Sequence, residues 1–345
     1  MVDSVLPDIP PGTFPGTFPG TFPGTDADGV EVLVPREVPL GGPRAMPVRR
    51  TLPQKQRSLI GAWCFLDHYG PDLVPESGGM RVPRHPHTGL ATVSWLFTGK
   101  IAHRDSAGYE AIVRPGEVNL MIAGRGISHQ EFSTPDTRIL HGAQLWYALP
   151  DTTRNMPPTF EHYAPDPVLG GGTALRVFIG SLAGSVSPVA TRTPPLLGAE
   201  ALLRDGARLE LDLDPSFEHG ILVDTGEISL DGVPLAVDHL HYLRTGRGRM
   251  VLQAGQTPAR VLVLGGEPLG ERIVMWWNFV GRTHEEVVAY RAAWQAEIDA
   301  EAADPPRDGM YPDCAPYPRF GPYPEGYPDP LPAPALPNAR LRPRA

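Results

Sequence analysis

From Val48 onward the apolar residues come in short runs, broken about every eight to twelve residues by Gly, Pro or Asp. That rhythm predicts an all-β sandwich or barrel. GAWCFLDHY and ATVSWLFTG read as strands. In the second, Ala91, Val93 and Trp95 alternate with Thr92, Ser94 and Leu96, as in a strand with two unlike faces. SAGY turns the chain back, and EAIVRPGEVNLMIAG supplies two further strands around a Pro-Gly turn. Residues 151–182 cross over through the loop DTTRNMPPTFEHY and the strand ALRVFIGSL. LRDGARLELDLD, HGILVDTGEISLDG, HLHYLRTG and PARVLVLGG then resume the pattern, which predicts a second barrel. The period becomes helical at THEEVVAYRAAWQAEIDAEA. Thr283 and Glu286 have capping-box spacing, and Val287, Tyr290, Trp294 and Ile298 form an apolar stripe that should lie on the sheets.

The ends break the pattern. Residues 1–44 open with the repeat GTFPGTFPGTFPGT, where proline and glycine recur too often for a helix or a paired strand, and this Pro/Gly-rich extension is expected to be disordered. Residues 304–345 are dominated by proline, tyrosine and glycine, and a disordered tail is expected there too. Between them lie an N-terminal barrel over 45–150 and a C-terminal barrel over 151–303 that includes the terminal helix.

Composition narrows the function. A formal net charge of −9 without a basic stripe argues against direct nucleic-acid binding. Small-molecule or protein partners fit better. With two cysteines, Cys64 in an apolar run and Cys314 in the tail, no disulfide framework can be drawn, and a reducing cytoplasm is the expected compartment. The N-terminus lacks the basic and apolar regions of a signal peptide, and no window is long enough to span a bilayer, so membrane association is not expected.

The candidate chemistry sits in residues 83–132. His85 with His87, and His129 with Glu131, form two doublets at i and i+2, a spacing that points both members to one face of a strand. Three imidazoles and one carboxylate suit a first-row divalent metal and leave coordination positions for water, a substrate oxygen or dioxygen. Gly124, Arg125 and Gly126 precede the closing doublet, where the backbone must bend sharply inward. AGRGIS lacks the Lys-Ser/Thr ending of a phosphate loop. With eleven histidines a chance doublet is unsurprising, and His239 with His241 is a second one. No His-x-Glu follows it, so these two are expected to be solvent-facing or hydrogen-bonded. His68 and His103 stand outside the doublets and are expected to be structural. Met121 and Trp95 could wall a pocket, although ordinary core is the simpler role. Glu218 and His219 are adjacent, so they should point to opposite faces, and the second barrel is expected to hold no metal.

The stretch RHPHTGLATVSWLFTGKIAHRDSAGYEAIVRPGEVNLMIAGRGISHQE resembles the metal-binding domain of the pirin family within the cupin superfamily. VRRTLPQKQRSLIGAWCFLDHYGP, HGAQLWYALP and LGERIVMWWNFVGRTHEEV extend the likeness over roughly residues 45–300. The resemblance implies two cupin-type barrels, a bicupin, with Fe(II) in the first. Other first-row ions (Mn, Ni, Cu, Zn) are alternatives. His85, His87, His129 and Glu131 match the family's ligands. Ala91 stands where many members carry Glu, a departure that bears on the surroundings of the ion. The resemblance further implies one of two roles. The first is a quercetin 2,3-dioxygenase-like oxidoreductase that takes a flavonol-type aromatic substrate and dioxygen, with Glu131 also a candidate base. The second is an iron-dependent redox-sensing regulator that binds a protein partner.

Overall fold

The computed structural model describes residues 29–40, 46–303, 319–322 and 328–345 of the chain. The GTFP repeat and Cys314 lie outside them. The chain forms two compact units, each drawn from separated stretches. One takes residues up to Val38 with Arg49–Pro71 and Tyr163–Leu269; the other takes Pro39–Val48, Asp72–His162 and Gly270–Ala345.

The second of these holds the doublets. Its strands are β1 (Arg81–His87), β2 (Leu90–Thr98), β3 (Ile101–Asp105), β4 (Glu110–Val113), β5 (Val118–Ile122), β6 (Ile127–Ser133) and β7 (Ile139–Ala148). β1-β6-β3-β4 make one sheet, and β5-β2-β7 run side by side in the other. β1 lies at its sheet's edge, where Pro83 and Pro86, which have no N–H to give, are tolerated. The AGRGIS turn is tight. Gly124 has φ +54°, and a Cβ there would lie 2.1 Å from the Met156 carbonyl oxygen.

The terminal helix, His284–Ala303, belongs to this unit and not to the second barrel with which its position in the chain had grouped it. Thr283 caps it, its Oγ1 accepting from the Glu286 amide at 3.2 Å. The reciprocal arm of the box shifts by one residue, since Glu286 accepts from the Arg282 amide at 2.6 Å. Val287, Tyr290, Trp294 and Ile298 are all buried, as the stripe requires. The last three pack with Phe279, Phe320 and Ala333.

Phe320 and Ala333 come from the tail, so the expectation of disorder over 304–345 is corrected for the described residues 319–322 and 328–345. Proline-rich chain cannot pair as strand or helix, yet its carbonyls can accept and its few apolar groups can be buried. The Leu331 carbonyl accepts from Trp294 Nε1 at 2.9 Å, the Leu331 amide donates to the Arg84 carbonyl at 2.8 Å, and Phe320 is fully buried. The extension needs the same correction over 29–40, which carries strands Glu31–Leu33 and Arg36–Pro39.

The other unit is also a β-barrel. β8 (Thr173–Ile179), β9 (Leu196–Leu203), β10 (Glu218–Thr225), β11 (Leu240–Leu243) and β12 (Ala259–Gly266) form a sheet in the order β11-β10-β12-β9-β8, extended beyond β11 by Glu31–Leu33. Strands Arg208–Asp212, Arg249–Ala254, Ile228–Leu230 and Val233–Leu235 form a second sheet. Alternate residues of both, among them Ile221, Val223, Val261, Leu211 and Leu252, share one core. Glu218 and His219 diverge as expected. Glu218 accepts from Tyr242 Oη and from the Gly61 amide, each at 2.7 Å, whereas His219 lies on the face of Ile221 and Val223. His241 is buried, with Nε2 3.2 Å from the Ala236 carbonyl and amide, and His239 donates from Nδ1 to the Val237 carbonyl at 2.7 Å. His68 is buried, with Nε2 2.7 Å from Asp224.

Candidate metal centre

β1 and β6 are antiparallel neighbours, and their register places His129 opposite His85 and Ile127 opposite His87. Cross-strand partners share a face, as do residues two apart, so His85, His87 and His129 all point into the barrel. The ring centroids of His85 and His129 are 4.4 Å apart, and those of the other two pairs 4.9 Å. One ring nitrogen from each of the three lies within 4.8 Å of the others.

Hydrogen bonds fix which nitrogens face inward. His85 Nδ1 is 2.9 Å from the Pro83 carbonyl and His87 Nδ1 3.3 Å from the Asn278 carbonyl. A carbonyl only accepts, so both Nδ1 atoms carry the proton and both Nε2 atoms are bare. His129 reaches the same state through a relay. Asp105 Oδ2 accepts from His103 Nε2 at 3.2 Å, which leaves His103 Nδ1 bare to accept from His129 Nδ1 at 3.3 Å. In these tautomers the Nε2 atoms of His87 and His129, 3.0 Å apart, both present lone pairs.

Burial, first of all, pulls the pKa of His85 down to about 4 and holds those of His87 and His129 well below the usual imidazole range. The three rings are therefore neutral at neutral pH. Converging lone pairs in a buried site repel unless a cation sits among them, so this donor set fits a divalent ion. Asn278 owes its position to the Trp276–Phe279 turn, where Trp277 holds φ +51°, a left-handed conformation that is strained for a bulky residue.

Glu131 enters differently. It stands opposite His103 on β3 and groups with His103 and His129, one ligand atom from each lying within 4.8 Å of the others. Burial raises its carboxyl pKa, offset in part by Ser94, whose Oγ is 3.4 Å away. That hydroxyl lies closer to Gln144 Oε1, at 2.9 Å, and has one proton to give. The structure thus assembles a three-imidazole set and an adjoining carboxylate set that share His129.

His103 and Asp105 are the site residues that the doublet reading missed. The signal was present, because His-Arg-Asp is another i, i+2 pair of ligand types, but its closeness to His129 depends on register. Ser94 faces the site, so Ala91 and Trp95, at odd offsets from it, belong to the opposite face of β2. Trp95 therefore faces away from the ligands, and the Ala91 departure falls away from the ligand face. Met121 is the partner of Thr92 on the Ser94 face and packs with Ile127 and Phe160. The Trp146 ring stands edge-on to His87 at 4.9 Å, and Phe160 lies 5.0 Å from His103.

Outside the barrel, the residues between the ligands are tied to the terminal helix and tail. Arg84 pairs with Glu301 and donates from Nε to Ser128 Oγ at 3.0 Å; Ser128 Oγ donates to the Phe320 carbonyl at 3.1 Å.

If the relay sets the His129 tautomer, Asp105→Asn should weaken metal binding by about 10–100-fold while His103→Ala and Asp105→Asn together cost little more than either alone. Chelator competition on the purified proteins would measure this. An affinity unchanged in Asp105→Asn would show that the relay does not tune the site.

Comparison with known proteins agrees with this architecture. The Pirin family model matches residues 45–147, and the model described as the Pirin C-terminal cupin domain matches residues 198–298. A Pseudomonas aeruginosa protein provisionally named quercetin 2,3-dioxygenase is 45% identical over 261 residues, 75% of this chain and 82% of its own length. A pirin-like protein of Caulobacter vibrioides is 33% identical over 261 residues, 72% of this chain and 88% of its own. The crystal structure of quercetin 2,3-dioxygenase from Acinetobacter baumannii superposes with a TM-score of 0.79 at 37% identity, covering 91% of this chain and 97% of that one. With two cupin barrels, a histidine cluster in the first and both family models matched in order, this chain belongs to the pirin family.

Proposed function

We propose that the chain is an iron-dependent dioxygenase acting on a flavonol-type aromatic substrate. The observation that carries this reading is the convergence of three bare Nε2 atoms, with those of His87 and His129 at 3.0 Å, in a barrel related to proteins named for quercetin 2,3-dioxygenase. His85, His87 and His129 would hold the ion, with Glu131 as the fourth ligand. When bound, Fe(II) would supply a redox-active Lewis acid at which an aromatic hydroxyl and dioxygen can meet.

The remaining work falls to the chain. Glu131 would take the proton of the substrate hydroxyl onto a carboxylate oxygen, since burial has made that carboxylate the stronger base. Its grouping with His103 and His129, apart from the His85–His87–His129 set, supports a carboxylate held loosely enough to serve in this way. Ser94, 3.4 Å from it, would orient it by turning its hydroxyl from Gln144 to the carboxylate. Trp146, Met121 and Phe160 would present apolar surface and exclude water around the reacting groups.

Anaerobic titration of the iron-loaded protein with quercetin, followed by admission of oxygen, tests this. The expected result is a saturable change in the metal spectrum and then one dioxygen consumed per flavonol lost. Iron uptake with neither a spectral response nor oxygen consumption would refute the dioxygenase and favour a redox-responsive regulator.

A further inference from the structure

His219 lies on β10 in the second barrel, fully buried, and neither ring nitrogen has a hydrogen-bond partner. Two residues along the strand, Ile221 belongs to the barrel core, so the imidazole is on the inward face. Gly265 stands opposite on β12, where a Cβ would come within 3.0 Å of His219 Cδ2, so the missing side chain leaves the ring its place. Burial lowers the His219 pKa to about 4, and the ring is neutral at neutral pH. A neutral imidazole has one N–H to give and one lone pair to fill, and a native barrel seldom leaves both unmet.

The ring lines a cavity of about 440 Å³, far more than one water needs. Leu197 and Phe217 give it apolar walls, and Asp212 and Asp214 bring carboxylates. One Asp214 oxygen already accepts from the Ser216 amide and hydroxyl at 2.8 and 2.7 Å, leaving the other for a ligand. The hairpin of Ser181–Leu182 and Ser185–Val186 borders the opening through a two-residue turn, Ala183 and Gly184, with φ of +50° and +80°. Both left-handed values match the turn type that suits a short hairpin, and Val186 stays 67% exposed beside the opening. Barrel mouths with an apolar wall and a few converging polar groups are where small ligands bind.

We propose that this mouth binds a neutral, hydroxyl-bearing aromatic molecule, with His219 as its central hydrogen-bonding group. A phenolic hydroxyl can accept from one ring nitrogen or donate to the other, the carboxylates take further hydroxyl protons and disfavour an anion, and Phe217 offers a ring to pack on. The site lies in the unit without the His85–His87–His129 cluster, so it does not depend on the dioxygenase reading.

The test uses the full chain labelled with ¹⁵N-histidine and titrated with resorcinol, benzoate and benzylamine as neutral, anionic and cationic probes. Resorcinol should shift both His219 ring nitrogens saturably and bind more tightly than either charged probe. Ser185→Trp, which fills the opening from the hairpin, should abolish the response. His219→Gln, which keeps a donor and an acceptor on a shorter frame, should weaken binding by about tenfold, read from the Phe217 ring signals. No saturable shift with resorcinol, tighter binding of a charged probe, or a response unchanged in both variants would each overturn the proposal. Two variants protect the test against one that fails to fold.

Discussion

His129→Ala protein is expected to lose its metal. Parent protein should carry about one first-row ion per chain, and the loss of affinity should exceed the roughly 10–100-fold that follows removal of an outer partner such as Asp105. His129 is the point on which both clusters depend: it stands opposite His85, shares an Nε2 contact with His87 and groups with Glu131. Folding itself should survive, because the substitution removes one of three mutually repelling lone pairs together with the packing of the ring. Metal analysis and metal-dependent melting separate the two effects. At about a thousandfold excess of ion over its dissociation constant, the parent gains about 4 kcal/mol from binding, and the variant should gain nothing. Full metal retention by His129→Ala would remove the donor set from the argument.

Trp294→Ala should be the most damaging substitution away from the metal. The indole is fully buried in the cluster of Phe279, Tyr290, Ile298 and Phe320, donates to the Leu331 carbonyl at 2.9 Å, and lies 5.2 Å beneath the Arg84 guanidinium. Emptying such a site costs about 3–5 kcal/mol in denaturant unfolding. The loss should also reach the metal, because Arg84 is the residue before His85 and hydrogen-bonds Ser128, the residue before His129. Metal affinity is thus expected to fall with stability in Trp294→Ala, whereas a core cavity in the other unit, made by Leu252→Ala, should lower stability and leave metal affinity near the parent value. Equal effects of the two variants on affinity would break the link between helix and ligand strands.

Much of this was legible in the residues. The two-residue spacing of His85 and His87 needs only a strand to become a shared face, and the alternation in ATVSWLFTG announces that strand. The helix was equally plain, since its stripe of Val287, Tyr290, Trp294 and Ile298 is buried. What could not be read was anything set by register or by distant pairing. His103 meets His129 only because β3 aligns Asp105 with His129 and His103 with Glu131. The helix follows the second barrel in sequence but packs in the unit of the first, a choice that depends on Phe279 and Phe320, which composition does not reveal. The tail misled for a different reason. Proline content reports the absence of repeating hydrogen bonds, and the described tail residues are held by carbonyls and single buried rings, which need no repeat.

The division of the chain into interleaved stretches has a consequence for biogenesis. In a nascent polypeptide Pro39–Val48 and Asp72–His162 emerge before Tyr163–Leu269, and Gly270–Ala345 only afterwards. The unit with the histidine cluster therefore waits, its ligand strands lacking the turn that offers the Asn278 carbonyl to His87 and the helix that anchors Arg84, until Gly270–Ala345 has emerged. Its partner unit has all its segments by residue 269. Metal loading is accordingly expected only once Gly270–Ala345 has been added, and a chain halted before those residues would display a finished scaffold beside an open, unready cradle.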